Sequence, residues 1–372
     1  MPDHQVLVIN PGSTSTKIAV YINTRVVFLK SIRHQLEELK KFKNISEQFE
    51  FRKNIILHEL KIAEIDLNAI EAVVGRGGLI RPIKSGVYAI NEAMKKDLSK
   101  GILGEHASNL GGLIADSIAR SLPNAKAFIA DPVVVDELRD VARIAGHPKF
   151  KRYSIFHALN QKATARSYSR LLNQTYEELN LIIAHMGGGI SIGAHFKGQV
   201  IDVNQALDGE GPFSPERSGT LPVAALARMC FSGEYSLEDV KKMITGEGGY
   251  VAYFNTNSAY EIEMLANDGN KKAKLIQEAM SYQVAKHIGA MATVLQGDVD
   301  AIILTGGIAN NTMVVEYIKK MVSFIAPVVI YPGEDEMHAL AMNGLRVIRK
   351  QVEVLQYEEK NMVNTNPYPK EN

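Results

Sequence analysis

The stretch Asn10 to Lys17 places one glycine, four hydroxyl side chains and a lysine between two apolar runs, 6–9 and 18–22. Gly12 permits a tight turn that a side chain hinders. Exposed N–H groups, the hydroxyls of Ser13 and Ser15 and the ammonium of Lys17 have the chemistry to converge on an anion. The pattern fits a phosphate-binding hairpin, and an ordinary polar hairpin turn has the same outline. No G-x-x-x-x-G-K-[ST] motif occurs, and a strand rather than a helix follows, which excludes a Walker loop. The chain repeats the design at Leu181 to Phe196, again strand, glycine turn (Gly187, Gly188, Gly189) and strand. With Gly12 laid on Gly187, Asn10 falls on His185, and each copy runs on into a third apolar segment, 25–29 and 199–203. This suggests an internal duplication with one polar turn on each half; facing each other, two such turns would hold a polyphosphate.

Other reactive side chains sit where elements end. Arg76 stands between glycines after an apolar run, 69–74, and reads either as a projecting ligand or as a solvated loop arginine. Asp131 follows the run 126–130, where α/β folds place ligand-binding carboxylates, although Asp before Pro132 also marks a turn. The loop 208–219 mixes turn formers with acids and Arg217, which looks functional rather than connective. Thr305-Gly306-Gly307 to Asn310 reads as a strand-to-helix turn of bare backbone against which a flat ring can lie, as an adenine pocket requires. Glu334 and Glu336 precede the last helix, either complementing its dipole or holding magnesium. His106 reads as a helix-start residue.

The elements that must position these groups follow from periodicity. Helices are predicted over 35–43, 47–62, 107–121, 221–230, 236–244, 271–296 and up to residue 347, with another beginning in 151–160. Asn91 is expected to cap a further helix. Strands are predicted at the apolar runs already named and at 88–90, 301–305 and 328–331. The polar end, 364–372, is expected to fray. A length of 372 residues favours two domains, and 46% apolar with 22% charged residues is ordinary for a globular chain. The net charge of +1 gives no reason to expect a nucleic acid or membrane partner. A single cysteine, Cys230, forms no internal disulfide, no basic leader precedes an apolar core, and no apolar run approaches a bilayer's thickness. A cytoplasmic location is the expectation.

Together the motifs resemble the acetate and butyrate kinases, carboxylate kinases of the actin-like, sugar-kinase-like ATPase superfamily. The stretches that carry the resemblance contain Asn10 to Lys17, Arg76-Gly77-Gly78, His106, Asp131, Phe156-His157, His185 to Ser191, Arg217 and Thr305 to Ala309, in the family's order. The run 214–222 and the turn 75–78 look like the butyrate branch. The resemblance implies an α/β, duplicated, ribonuclease H-like fold with two domains, 1–155 plus 335–372 on the acid side and 156–334 for nucleotide, and a cleft between them. It further implies ATP/ADP and Mg2+ as cofactors, a small carboxylate substrate and a homodimer or larger homo-oligomer. Asn10, Ser13, Ser15, Lys17, Gly187, Gly188, Gly189, Gly306, Gly307 and Asn310 would bind nucleotide; Arg76, Asp131, His157, His185 and Arg217 would be catalytic. Gly77, Gly78, His106 and Phe156 would line the acid pocket. Glu336, or Glu334, would join Asn10 on the metal side. Gln161 and Gly188 stand where the acetate branch has histidine and asparagine, and Gly77 and Gly78 where it has valines. Those glycines are expected to open volume for a longer acid, each buried methylene being worth about 0.8 kcal/mol and about 10–200-fold in discrimination. Butyrate, isobutyrate or valerate is thus expected over acetate; an acetate or propionate kinase, or a non-kinase actin-like ATPase, are the alternatives.

Overall fold

The computed structural model describes residues 3–358, so the polar end 364–372 lies outside them. Its strands, in chain order, are β1 (Gln5–Pro11), β2 (Ser15–Ile22), β3 (Arg25–Arg33), β4 (Ile70–Arg76), β5 (Val87–Ala89), β6 (Lys126–Ala130), β7 (Asn180–Met186), β8 (Ile190–Phe196), β9 (Gln199–Val203), β10 (Ala301–Gly306), β11 (Val328–Pro332) and β12 (Val354–Leu355). The chain divides into two compact units, one of residues up to Val135 and from Asp335 on, the other Asp136–Glu334. The sequence put this division at residue 155. Residues 136–155 go with the second unit because their polar groups are satisfied there. The Arg139 N–H donates to Ile201, the Ala206 N–H to Ile155, and Arg152 pairs with Asp202 and Glu210.

Unit 1 carries a sheet of order β12-β5-β6-β4-β1-β2-β3. Its β1 is antiparallel to β2 and parallel to β4, and β4 is parallel to β6. Helices cover both faces, so β1 and β4 read as unbroken apolar runs rather than alternating ones. Leu7, Ile9 and Val73 pack with Ile56 and Leu60 of the helix Phe49–Ile62 and with Leu110, Ile114 and Ile118 of the helix Asn109–Arg120. On the opposite face lies the closing helix Glu336–Ile348, where a side chain at Gly344 would strike Val6 and Val74.

Unit 2 repeats the plan in the order β11-β10-β7-β8-β9. Ile182, Ala184 and Leu304 pack against the helices Lys271–Val294 and Thr312–Val322, and Leu181, Ile183 and Ile303 against Ala165 and Tyr176 on the other face. In each unit a three-residue turn, 12–14 or 187–189, joins the leading antiparallel pair.

Several elements differ from expectation. Only Leu36–Leu39 of the predicted helix 35–43 is helical, whereas the helix expected to begin in 151–160 does so, at Ala158. The helix Asn109–Arg120 begins after His106, and β12 follows the strand expected to be last. Asn91 caps its helix as predicted, accepting from the Met94 N–H.

Candidate functional site

In unit 1, three adjacent parallel strands deliver polar side chains at their C-terminal ends. Ile9 lies beside Gly75 and Arg76 beside Ala130, so Asn10, Arg76 and Asp131 stand along one edge. Asn10 Nδ2 donates to Glu336 Oε2 at 2.7 Å, and Arg76 donates to the same oxygen at 2.9 Å and to Asn10 Oδ1 at 3.3 Å. Glu336 arrives on the first turn of the closing helix, whose cap is Asp335. Asp131 is buried with a left-handed backbone, φ 39°, and its Oδ1 accepts from the Ser85 hydroxyl at 2.6 Å and the Gly86 N–H at 2.9 Å. Such strain persists only where neighbours enforce it, often at functional sites.

The first turn is held from beneath by a residue that sequence reasoning missed. Arg52 is fully buried, and its guanidinium donates to the carbonyls of Gly12 (2.7 Å), Ser13 (2.9 Å) and Ser15 (3.1 Å), besides Thr16 Oγ1 and Gln48 Oε1. Burial pushes Arg52 down to about 10, which leaves it cationic at neutral pH. With those carbonyls turned inward, the hydroxyls of Ser13 and Thr14 and the side chain of Lys17 lie exposed. The signal was present: Arg52, Ile56 and Leu60 recur every fourth residue, placing an arginine on the buried stripe of its helix. Gly12 itself has no positive φ, and a Cβ there would meet Ser15 only at ordinary contact distance, so the turn does not require glycine.

Of the four acid-pocket residues, the two glycines need correction. A Cβ at Gly78 would lie 2.6 Å from the Asn109 backbone, and one at Gly77 2.6 Å from Pro132 Cβ. These glycines let neighbouring chain pack close; they do not open volume for a longer acid. His106 is exposed, with Nδ1 2.8 Å from Ser108 Oγ, and belongs to unit 1, whereas buried Phe156 belongs to unit 2.

Unit 2 gathers its own set at the same strand ends. His185 on β7 lies beside Thr305 on β10, which lies beside Tyr331 on β11. The rings of His157 and His185 stack, centroids 3.8 Å apart and 13° from parallel. His185 Nδ1 is 2.8 Å from Asn160 Oδ1, and its Nε2 is 3.0 Å from Glu334 Oε1 without the alignment of a hydrogen bond. The two acids left open by sequence therefore part company: Glu336 joins Asn10 and Arg76, Glu334 joins His185. Gly187 and Gly189 are glycines because the Glu334 carboxylate and the Arg217 guanidinium occupy the space a Cβ would need. Arg217 donates to the Ala206 carbonyl; burial lowers its pKa, and Glu216 and Asp208 oppose that. Gly306 has φ +89°, and a Cβ there would meet the Met186 backbone at 2.3 Å; beyond it the Gly307 Cβ position is open, and Asn310 Nδ2 turns back to the Gly307 carbonyl.

The sequence model of the acetokinase family matches residues 142–348. Butyrate kinase 2 of Clostridium acetobutylicum is 56% identical over 354 residues, covering 95% of this chain and 99% of its own. The chain belongs to the acetokinase family. Butyrate kinase 1 of the same organism is 55% identical over 355 residues, covering 95% of this chain and 100% of its own. The structure of the Porphyromonas gingivalis acetate kinase superposes with a TM-score of 0.77 at 18% identity, covering 93% of this chain and 100% of that one. That of a Francisella tularensis propionate kinase superposes with a TM-score of 0.72, again at 18% identity, covering 91% and 98%. The fold is thus the duplicated α/β fold of the actin-like ATPases, shared by acetokinase members of distant sequence.

Proposed function

We propose that this chain is a short-chain fatty acid kinase, transferring the γ-phosphoryl group of ATP to butyrate to give butanoyl phosphate and ADP. The observation that carries this reading is the identity, over nearly the whole chain, with two butyrate kinases. The acid is already ionised at neutral pH, so no base need remove a proton. A carboxylate oxygen attacks the γ-phosphorus in line as the bond to the β-γ bridging oxygen breaks and ADP departs. The protein's task is alignment and charge neutralisation. The reading assigns the carboxylate and the phosphoryl group in flight to Arg76 and Arg217, with His157 and His185 as hydrogen-bond donors and Asp131 as the catalytic aspartate. It assigns the phosphates to the turns bearing Ser13, Ser15, Lys17 and Gly187–Gly189, and the adenine to Gly306, Gly307 and Asn310. His106 and Phe156 remain the acid-side residues. Glu336 and Asn10 offer hard oxygen donors, which suit Mg2+ held by few protein ligands and by substrate phosphates; bound there, the ion would neutralise phosphate charge. Preference for a longer acid rests on the relatives, since Gly77 and Gly78 add no room.

The exposed apolar side chains of unit 2, Val223, Phe231 and Leu237 among them, support a homodimer. The kinase reading is tested by trapping acyl phosphate with hydroxylamine across C2 to C5 acids. Expected is a kcat/KM highest near C4 with overlap at C3 and C5. ATP hydrolysis indifferent to added acid overturns it, and a clear preference for acetate moves the chain to the acetate branch.

A further inference from the structure

Behind His157 runs a buried chain of polar groups whose proton positions can be worked out atom by atom. Gln161 is fully buried, and its terminal nitrogen lies 3.0 Å from the Ser191 carbonyl and 2.8 Å from Ser191 Oγ. A carbonyl only accepts, so this end of the amide must be the NH2. Gln161 Oε1 then faces His195 Nε2 at 2.9 Å, which places a proton on that nitrogen. His195 has no exposed surface, and burial together with Lys162 and Arg166 keeps it neutral. Its Nδ1 therefore accepts, and the Tyr176 hydroxyl donates to it at 2.6 Å. At the other end, Ser191 Oγ accepts from Gln161 and, at 3.3 Å, from the His157 main-chain N–H. The serine's own proton is left to donate to His157 Nδ1 at 2.8 Å.

We infer that Gln161, His195 and Tyr176 are positioning residues that hold neutral His157 in the tautomer with its proton on Nε2. Every bond from Tyr176 through His195, Gln161 and Ser191 to His157 donates in the same direction, an arrangement in which each bond polarises the next. The ring plane is set independently by the stack on His185, itself fixed by Asn160. The inference deepens the proposed function: a histidine beside a phosphoryl group in flight must present an N–H, and the relay supplies it before substrate arrives. Composition offers no sign of this; Gln161 matters through the partners it joins.

Long-range 1H–15N NMR on full-length protein labelled at histidine tests it, with His157 assigned by its loss in His157→Ala. Wild type is expected to show the Nε2–H tautomer. Gln161→Leu frees the Ser191 lone pair and is expected to bring in the Nδ1–H form. It should also lower kcat by about 10- to 100-fold, the range seen when a metal-bound histidine loses its outer hydrogen-bond partner, with KM for ATP little changed. Tyr176→Phe removes only a hydroxyl at the far end and tests the same relay if the leucine variant misfolds, with a smaller shift in the same direction. A wild-type Nδ1–H tautomer, or a tautomer unmoved in both variants, overturns the inference. So does a shifted tautomer with unchanged kcat. Full turnover by His157→Ala instead overturns the role of His157 in the proposed reaction, whatever the tautomer shows.

Discussion

Arg76 is held by a carboxylate and an amide from two other elements, so its guanidinium is fixed in orientation before any substrate binds. Removing one such donor of charge stabilisation costs on the order of 10²–10³ in kcat. Arg76→Ala is therefore expected to lose at least that much turnover with little change in KM for ATP, and Arg217→Ala likewise. Steady-state kinetics check this, and near-wild-type turnover in either variant removes that arginine from the chemistry. A second consequence at this scale concerns acid stability. Burial, with Arg152 adding and Glu210 opposing, pushes His287 down to about 4, and its Nε2 is buried with no hydrogen-bond partner among the described residues. Burial and Arg52 also push His34 down to about 4. An unfolded histidine titrates near 6.5, so between pH 6.5 and 4 the unfolded chain binds protons that the folded chain refuses. Stability is full above that window and falls as pH drops through it. The urea midpoint should decline over this range, and His287→Phe should flatten the decline; an unaltered slope would show that His287 titrates normally.

Among elements, the first turn shows how a helix can define a loop it does not touch in sequence. Arg52→Met leaves the Gly12 and Ser13 carbonyls and Gln48 Oε1 without this donor, while the Ser15 carbonyl keeps the Gly12 N–H. With about 1–3 kcal/mol for each buried group left unsatisfied, the expected loss of stability is at least ~3 kcal/mol, and KM for ATP should rise more than KM for the acid. Equilibrium unfolding with paired KM measurements would check both, and an unchanged midpoint would dismiss Arg52 as a support. The central strands were legible because burial on both faces writes them as apolar runs; Lys126–Ala130 matches to the residue, and the two hairpins match in number, order and spacing. The six-residue helix Gly249–Phe254 was not legible: it opens on glycine and is too brief to show a period. The candidate site residues were singled out by type and position, yet two meanings were hidden. Gly77 and Gly78 suggested vacancy, and only Pro132 against the one and the helix start at Asn109 against the other show close contact. Arg52 passed without notice until the turn above it was in view.

As a whole molecule, the chain presents its largest exposed apolar side chains on unit 2. Phe231 is 92% exposed, Val223 79% and Leu237 68%, next to the helix Val223–Cys230, which buries none of its residues. If these surfaces pair in a homodimer, Phe231→Asp should shift sedimentation from a dimer toward the mass of one chain, and a wild type that sediments as a monomer at micromolar concentration would end the proposal. The order of the chain has a separate effect. Unit 1 begins with β1 but is completed by residues after Asp335, among them Glu336, Leu340 and Leu345. On a translating ribosome the first sheet must therefore wait, one face bare, while all of the second unit is synthesised. Any polypeptide released before the helix Glu336–Ile348 emerges lacks both the cover for β1 and the carboxylate that anchors Arg76.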